Sequence, residues 1–160
     1  MVHLLYFIMD ILLTNYMQEQ LRWVKSEFKR YMYDKLPWDA RLVGLTGPRG
    51  VGKSTMVLQH LKEQDKERLR KSIYVSADHS YFLTHTLEET AAQFVREGGL
   101  WMYIDEVHKY ENWSIELKQI YDSHPELHVF FTGSSVLDIL EGEADLSRRV
   151  LPVEMQGPSY

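Results

Sequence analysis

The sequence predicts an α/β fold in which a parallel sheet is covered by helices on both faces. Five short apolar runs alternate along the chain with segments of helical periodicity. Each run is apolar at consecutive positions, which is typical of strands buried on both sides and therefore of a parallel sheet. The 160 residues are enough for one domain with a sizeable core.

The composition fits an ordinary globular protein and excludes several classes. Eighteen Lys and Arg residues stand against 23 Asp and Glu residues, a net charge of -5. This balance argues against a protein that coats nucleic acid, and the aromatic residues are not interleaved with basic ones as in a nucleic-acid platform. No cysteine is present, so zinc fingers and disulfide-stabilised secreted scaffolds are excluded, and we expect a cytoplasmic protein.

The first element is an apolar N-terminal helix. Residues 1–13 read MVHLLYFIMDILL, with no basic residue ahead of the apolar run and with Asp10 inside it. The run is also too short to span a bilayer, so we expect neither a signal peptide nor a membrane anchor. Leu4, Ile8, Ile11 and Leu12 recur at helical spacing and predict an amphipathic helix packed on a neighbour.

A second helix is predicted to begin at Asn15, because Asn15 and Gln18 resemble a capping box. Leu21, Val24, Phe28 and Tyr31 continue one apolar face of this helix towards the break at Leu36 and Pro37.

Residues 41–97 are predicted to form two strands and two helices in alternation. A Gly/Pro cluster ends the apolar run at 41–46, as expected for a buried strand that enters a tight loop. Residues 54–70 mix apolar and charged residues and predict one helix with a solvated outer face. The β-branched and aromatic run at 72–76 predicts a strand. Residues 86–97 open with Thr-Leu-Glu-Glu and end before two glycines, which predicts a capped helix.

The second half of the chain continues the alternation. Strands are predicted at 100–104 (LWMYI), 127–132 (LHVFFT) and 150–155 (VLPVEM), and helices at 113–123 and 135–140. Pro152 weakens the last strand because proline lacks the N–H that a ladder requires.

One motif carries a specific chemistry. GPRGVGKS at 47–54 fits G-x-x-x-x-G-K-[ST], in which glycines allow backbone N–H groups to point at a phosphate beside a helix N-terminus. Lys53 is predicted to bridge the β- and γ-phosphates, and the Ser54 hydroxyl to ligate Mg²⁺. The alternative, a glycine-rich turn before a surface lysine, leaves the position between a strand and a helix unexplained. The predicted nucleotide-binding residues are Gly47, Pro48, Arg49, Gly50, Val51, Gly52, Lys53, Ser54 and Thr55.

An acidic pair follows the third predicted strand. Asp105 and Glu106 come directly after apolar residues, at the strand tip where open α/β sheets place their ligands. Asp105 is predicted to hold Mg²⁺ and Glu106 to act as general base on the attacking water. The alternative is that the two carboxylates only begin a loop.

Further polar residues are expected near the same edge. Ser134, with Thr132 second, is predicted to contact the γ-phosphate or the attacking water, although Ser134 or Ser135 alternatively caps the following helix. Arg148 and Arg149 precede the last strand. Arg148 or Arg149, with Arg149 as our site candidate, is expected to supply a positive charge to a neighbouring subunit's nucleotide, and an exposed arginine pair is the alternative.

The sequence also bears on which nucleotide base is bound and on whether histidines bind a metal. No Asn-Lys-x-Asp element is present, so adenine is favoured over guanine. Tyr33, Leu36 and Trp38 either flank the base or belong to the core. The seven histidines form no metal-binding constellation in the sequence.

Taken together, GPRGVGKS, LWMYIDEVHKYENW at 100–113, FFTGSS at 130–135 and SRRVLPVEMQGPSY at 147–160 resemble the AAA-type P-loop ATPases of bacteria and archaea. The resemblance covers about residues 38–160, which leaves 1–37 as an N-terminal helical segment. It implies a three-layer αβα P-loop NTPase fold with five parallel strands in the order 5-1-4-3-2. In that family the chain continues into a helical lid and C-terminal modules, so the resemblance implies an ATPase core without its lid.

Three functions remain open. The first is Mg²⁺-dependent ATP binding and hydrolysis, with a homo-oligomer or a protein partner expected. The second is an ATP-binding switch with negligible turnover. The third, a kinase for a small hydroxylated acceptor, is disfavoured because Glu106 beside Asp105 suits the activation of water.

Overall fold

The computed structural model describes residues 2–25, 33–134 and 144–155, which form a five-stranded parallel sheet with helices on both faces. The strands are β1 (Leu42–Thr46), β2 (Ser72–Ser76), β3 (Trp101–Asp105), β4 (His128–Gly133) and β5 (Leu151–Glu154). They lie in the order β2-β3-β4-β1-β5, and each adjacent pair is parallel. The predicted order 5-1-4-3-2 is therefore confirmed, read from the other edge.

The helices are α1 (Val2–Trp23), α2 (Lys53–Lys62), α3 (Lys66–Arg70), α4 (Leu87–Arg96), α5 (Trp113–Ser123) and α6 (Ala144–Ser147). Short 3-10 turns lie at Tyr33–Lys35, Ser80–Leu83 and Val107–Lys109. The helix predicted at 135–140 lies outside the described residues.

Successive residues of β2, β3 and β4 enter two different cores, one on each face of the sheet. On one face Ile73, Val75, Met102, Ile104, Val129 and Phe131 pack with residues of α4 and α5. On the other face Val43, Leu45, Tyr74, Tyr103 and Phe130 pack with residues of α1 and α2. This division follows from the two-residue period of a strand and confirms the three-layer αβα arrangement.

The N-terminal region differs from the prediction in two respects. A single helix runs from Val2 to Trp23, so Asn15 lies inside it and does not begin a second helix. The buried face runs through Leu13, Met17 and Leu21, whereas Ile11 and Leu12 are exposed. The spacing of four residues sets this face, because side chains at i and i+4 lie above one another on a helix. No helix within the described ranges is both long enough and apolar enough to cross a membrane.

The segment predicted as one helix over 54–70 is two helices, α2 and α3. Asp65 separates them, because its side chain accepts a hydrogen bond from the backbone N–H of Arg68 and so caps a new helix. By contrast, the predicted cap at Thr86 is confirmed as a full capping box with Glu89. The last strand is also confirmed, with Pro152 on β5 at the edge of the sheet, where a missing N–H is tolerated.

A buried histidine on α2 makes the stability of the fold dependent on pH. The ring of His60 stacks on that of Trp38 with 4.0 Å between centroids, and only 7 % of the residue is exposed. Burial lowers the pKa of His60 to about 4, because the charged imidazolium is poorly solvated there. The folded state therefore binds fewer protons than the unfolded state between pH 6.5 and pH 4.

As the pH drops from 6.5 to 4, we expect the protonation of His60 to lower the free energy of unfolding by up to about 3 kcal/mol. Urea unfolding at pH 7 and pH 4.5 measures it, and His60→Gln is expected to lose less stability than the parent chain between the two values. His124→Gln serves as the control. An equal loss in His60→Gln and the parent would show that His60 does not titrate in this range.

Candidate functional site

A cavity of about 320 Å³ lies at the carboxyl edge of the sheet, where β1, β3 and β4 end. It brings the motif at 47–54 next to the acidic pair and the polar residues at the end of β4, Thr132 and Ser134, as the sequence predicts. The lining residues are Arg49, Gly50, Gly52, Lys53, Ser54, Thr55, Asp105, Glu106, His108, Lys109, Thr132, Gly133 and Ser134.

Two glycines of the loop are required by the backbone. Gly52 directly precedes α2 and has a φ of 93°. Residues with a Cβ rarely adopt this left-handed backbone conformation. A Cβ on Gly47 would lie 2.2 Å from the carbonyl oxygen of Met155, so the loop and the end of β5 approach too closely for any other residue. The loop therefore leads directly into α2, whose first residues, Lys53, Ser54 and Thr55, line the cavity and whose first N–H groups lack partners within the helix.

Lys53 closes the loop. Its Nζ donates to the carbonyl oxygens of Gly47 at 2.8 Å and of Pro48 at 2.9 Å. Burial lowers the pKa of Lys53, while the nearby carboxylates of Asp105 and Glu106 act in the opposite direction. The Lys53 ammonium is thus held against the first residues of the loop, and the residue lines the cavity.

Asp105 is a buried carboxylate, 7 % exposed, held by hydroxyl groups from three other elements. Ser54 Oγ on α2 lies 2.9 Å from Oδ1 and 2.7 Å from Oδ2, and Thr132 Oγ1 on β4 donates to Oδ1. The Tyr74 hydroxyl on β2 donates to Oδ2 at 2.9 Å. Burial raises the pKa of Tyr74, and the charge of Asp105 raises it further, so this phenol remains a donor.

Glu106 has an unusual backbone conformation. With φ 55° and ψ 49° it lies in the left-handed region, which a glutamate rarely adopts. Its N–H donates to Thr132 Oγ1 at 2.9 Å, and the turn at Val107–Lys109 follows at once. Such conformations persist where the surrounding structure over-determines them, typically at functional positions. Here the result is that the Glu106 side chain lines the cavity.

The oxygen donors at Ser54 and Asp105 fit Mg²⁺. A hydroxyl and a carboxylate within hydrogen-bonding distance are the hard ligands that this ion prefers, and it usually takes only one or two protein ligands beside substrate phosphates. Over residues 2–25, 33–134 and 144–155 no group of three or more His, Cys, Asp or Glu side chains suits a metal ion. The donor set therefore suits a metal that is shared with a phosphate rather than one enclosed by protein.

The two candidate sensing residues differ in their contacts. Thr132, the second candidate, joins the Asp105 carboxylate to the Glu106 backbone. Ser134, the first candidate, is exposed and lines the cavity. The structure thus places both at the site, with Thr132 in its hydrogen-bonded centre.

Arg148 and Arg149 lie away from the cavity in this chain. Arg149 Nε donates to Asp122 Oδ1 at 2.8 Å on α5, and Arg148 pairs with Asp145. Neither arginine belongs to the cavity lining of the described residues. A role of Arg149 on a neighbouring subunit stays a prediction.

The candidates for the base pocket are packed in the core. Tyr33 and Leu36 are buried, and Trp38 stacks on His60 and, with 4.7 Å between centroids, on Phe130. The structure favours the alternative that the sequence left open, in which these residues hold the 33–40 segment against α2 and β4.

Sequence reasoning missed four residues of the site. His108 and Lys109 line the cavity because the turn after Glu106 brings them back to it, and their spacing of two and three residues from Glu106 was an available signal. Gly133 ends β4 beside them. Tyr74 had no sequence signal, because its contact with Asp105 joins two different strands.

A family model described as an AAA domain matches residues 39–160. The chain belongs to this family. The match begins after α1 and includes every residue that lines the cavity. No curated protein matches the chain.

Three solved structures resemble this AAA domain at low identity. A chain from a study of katanin self-assembly has 19 % identity and a TM-score of 0.49, covering 73 % of this chain and 41 % of that one. AMPPCP-bound DnaA from Aquifex aeolicus has 18 % identity and a TM-score of 0.48, covering 91 % and 46 %. PCH-2 from C. elegans has 19 % identity and a TM-score of 0.52, covering 97 % and 43 %. The chain thus spans less than half of the length of each of these chains, and the likeness to PCH-2 supports a shared fold.

Proposed function

We propose that this AAA domain binds ATP with Mg²⁺ in the cavity at the carboxyl edge of the sheet and hydrolyses it. The observation that carries the proposal is the convergence of Lys53, Ser54, Asp105 and Glu106 on one cavity, although the two pairs are 51 residues apart in sequence. Three basic and two acidic side chains line the cavity, so it favours a polyanion before any metal binds.

Each residue has a separate task in this mechanism. The loop N–H groups and Lys53 hold the β- and γ-phosphates, and the proposed metal ligands are Ser54 and Asp105. The metal, when bound, neutralises charge that develops on the phosphate oxygens. Glu106 accepts the proton of a water that attacks the γ-phosphorus. The bond from phosphorus to the β–γ bridging oxygen breaks, and ADP and phosphate are released.

Thr132 connects the two carboxylate residues. Because it contacts both the Asp105 side chain and the Glu106 backbone, a shift of one is transmitted to the other. This contact also favours the second candidate function, a switch in which nucleotide occupancy rearranges the residues after Glu106 with negligible turnover.

A binding and turnover experiment on the 160-residue chain tests the proposal. Titration with a fluorescent ATP analogue in Mg²⁺ buffer measures affinity, and release of inorganic phosphate measures turnover. At an ATP concentration 100 times the Kd, binding should stabilise the fold by about 2.7 kcal/mol, seen as a raised melting temperature. We expect ATP to bind more tightly than GTP.

The outcomes separate the functions. Binding with steady phosphate release supports the ATPase, and binding without release supports the switch. Nucleotide consumption that requires an added hydroxylated acceptor would indicate a kinase. Failure of millimolar ATP to change the melting temperature would overturn nucleotide binding altogether.

A further inference from the structure

The Asp105 carboxylate has one donor that does not itself line the nucleotide cavity. Ser54 and Thr132 both contact Asp105 and both line the cavity, whereas Tyr74 contacts Asp105 from the side of the neighbouring strand. Tyr74 is 2 % exposed, so its hydroxyl is directed into the protein and not into solvent. Any effect of Tyr74 on a bound nucleotide therefore passes through Asp105.

The strand register explains how Tyr74 reaches this position. Tyr74 pairs with Tyr103 and Ser76 pairs with Asp105 on adjacent parallel strands. All four residues share the face covered by α1 and α2, since they alternate with Ile73, Val75, Met102 and Ile104 on the opposite face. From two positions before the strand tip, the long phenol side chain of Tyr74 spans to Oδ2 of Asp105.

A second tyrosine lies behind the first. The Tyr16 ring on α1 is parallel to the Tyr74 ring within 6°, with 6.1 Å between centroids, and meets His79 edge-on at 4.9 Å. The Tyr16 hydroxyl lies near Ser76, two residues beyond Tyr74 on the same strand. Tyr16 thus confines the Tyr74 ring on the face away from the sheet.

The helix that carries Tyr16 is fixed to the rest of the fold. Gln59 and Lys62 on α2 donate to the carbonyl oxygens of Lys25 and Val24 just after the helix, at 2.8 Å and 2.9 Å. Leu13, Met17 and Leu21 are buried along the same face. The position of Tyr16 is therefore set by packing, even though α1 precedes the region that the family model matches.

We propose that Tyr74 is a positioning residue for the Asp105 carboxylate and that Tyr16 on α1 holds the Tyr74 ring in place. In this arrangement the helix ahead of the matched AAA domain contributes to metal-dependent nucleotide binding. The inference rests on the proposed function, because it assigns Asp105 to the Mg²⁺ site. Tyr74 and Tyr16 act on the nucleotide only through that carboxylate.

The variant Tyr74→Phe tests the inference because it removes one oxygen and keeps the ring. The readout is the affinity for a fluorescent ATP analogue with Mg²⁺ and with EDTA, and the ratio of the two is the Mg²⁺ enhancement. We expect about a tenfold smaller enhancement in Tyr74→Phe, as for other groups that orient a metal ligand, with the EDTA affinity changed less than about twofold. The kcat should fall, and the KM for ATP in Mg²⁺ buffer should rise with the loss of Mg²⁺-dependent affinity, while the affinity in EDTA stays near that of the parent.

Tyr103→Phe is the matched control. Tyr103 is the register partner of Tyr74 on the same face and equally buried, but its hydroxyl lies beside Arg68. We expect its Mg²⁺ enhancement to equal that of the parent chain. An equal loss in both variants would show a general effect of removing buried hydroxyls and would overturn the proposal.

The Tyr16 variants test the second step and do not disturb the Asp105 contact directly. Tyr16→Ala removes the ring that confines Tyr74 and is expected to reduce the Mg²⁺ enhancement, whereas Tyr16→Phe keeps the ring and is expected to retain most of it. Leu12→Ala, at an exposed position on the same helix, should have no effect.

The two levels of failure are distinguishable. No Mg²⁺ enhancement in the parent chain would contradict the proposed function. A normal enhancement in the parent that is unchanged in Tyr74→Phe and Tyr16→Ala would overturn only the role of the tyrosines.

Discussion

Replacing Glu106 with glutamine is expected to lower the rate of phosphate release at least about 100-fold, because a general base contributes factors of that order or more. Glutamine has the shape of glutamate but cannot accept a proton from water at neutral pH. The proposed phosphate contacts of Lys53 and the loop do not involve this side chain, so ATP affinity should stay within about threefold of the parent value. Phosphate release under saturating ATP, together with a fluorescent ATP titration, measures the two quantities separately.

Glu111→Gln is the control for this variant. Glu111 follows in the same loop, is exposed, and does not line the cavity among the described residues. We expect it to retain parent turnover. A Glu106→Gln chain that hydrolyses ATP as fast as the parent would rule out Glu106 as the base. A parent without turnover but with tight binding would point to the switch.

Replacing Lys53 with alanine is expected to weaken ATP binding at least about 30-fold, which corresponds to about 2 kcal/mol for lost charge-assisted hydrogen bonds. In the chain itself the Lys53 ammonium bonds two loop carbonyls, which are exposed to solvent in the variant. Because water can replace the lost hydrogen bonds to these carbonyls, the loss of folding stability is small, and the melting temperature without nucleotide should change by only a few degrees. Titration with the ATP analogue and a thermal melt measure the two effects.

Lys66→Ala controls for the loss of a positive charge. Lys66 begins α3, away from the cavity lining, and its removal should leave ATP affinity unchanged. Equal ATP affinities for Lys53→Ala and the parent would show that the loop does not bind the phosphates.

Most of the sheet was predictable because its strands are buried on both faces. Runs such as LVGLT and HVFFTG are apolar regardless of which neighbour they pair with, so their positions can be read from the chain alone. The helix boundaries were less predictable. Asn15 and Gln18 fit a capping pattern, yet α1 continues through them, because the buried positions Leu13, Met17 and Leu21 stabilise one helix across the whole length.

The candidate site also contains residues that the sequence predicts and residues that only the structure reveals. The placement of Lys53, Ser54, Asp105 and Glu106 at one cavity was predictable, because the glycine-rich motif and the acidic pair after a strand are local patterns of residue types. His108 and Lys109 needed the turn at Val107–Lys109, and Tyr74 needed the register between β2 and β3. Trp38 shows the converse, since an aromatic residue ahead of the first strand suits both a base pocket and a core, and only its stacking on His60 and Phe130 decides between them.

The sequence by itself determined the class of fold, the glycine-rich loop at 47–54 and the acidic pair at the end of β3, since each depends on residues that are close together in the chain. The tertiary structure alone decided which hydroxyls hold Asp105, that Glu106 adopts a left-handed conformation, and that Tyr16 on α1 lies behind Tyr74. These features join residues up to 58 positions apart, from Tyr16 to Tyr74. Contacts of that kind arise from the pairing and packing of whole elements, and no local pattern of residue types encodes them.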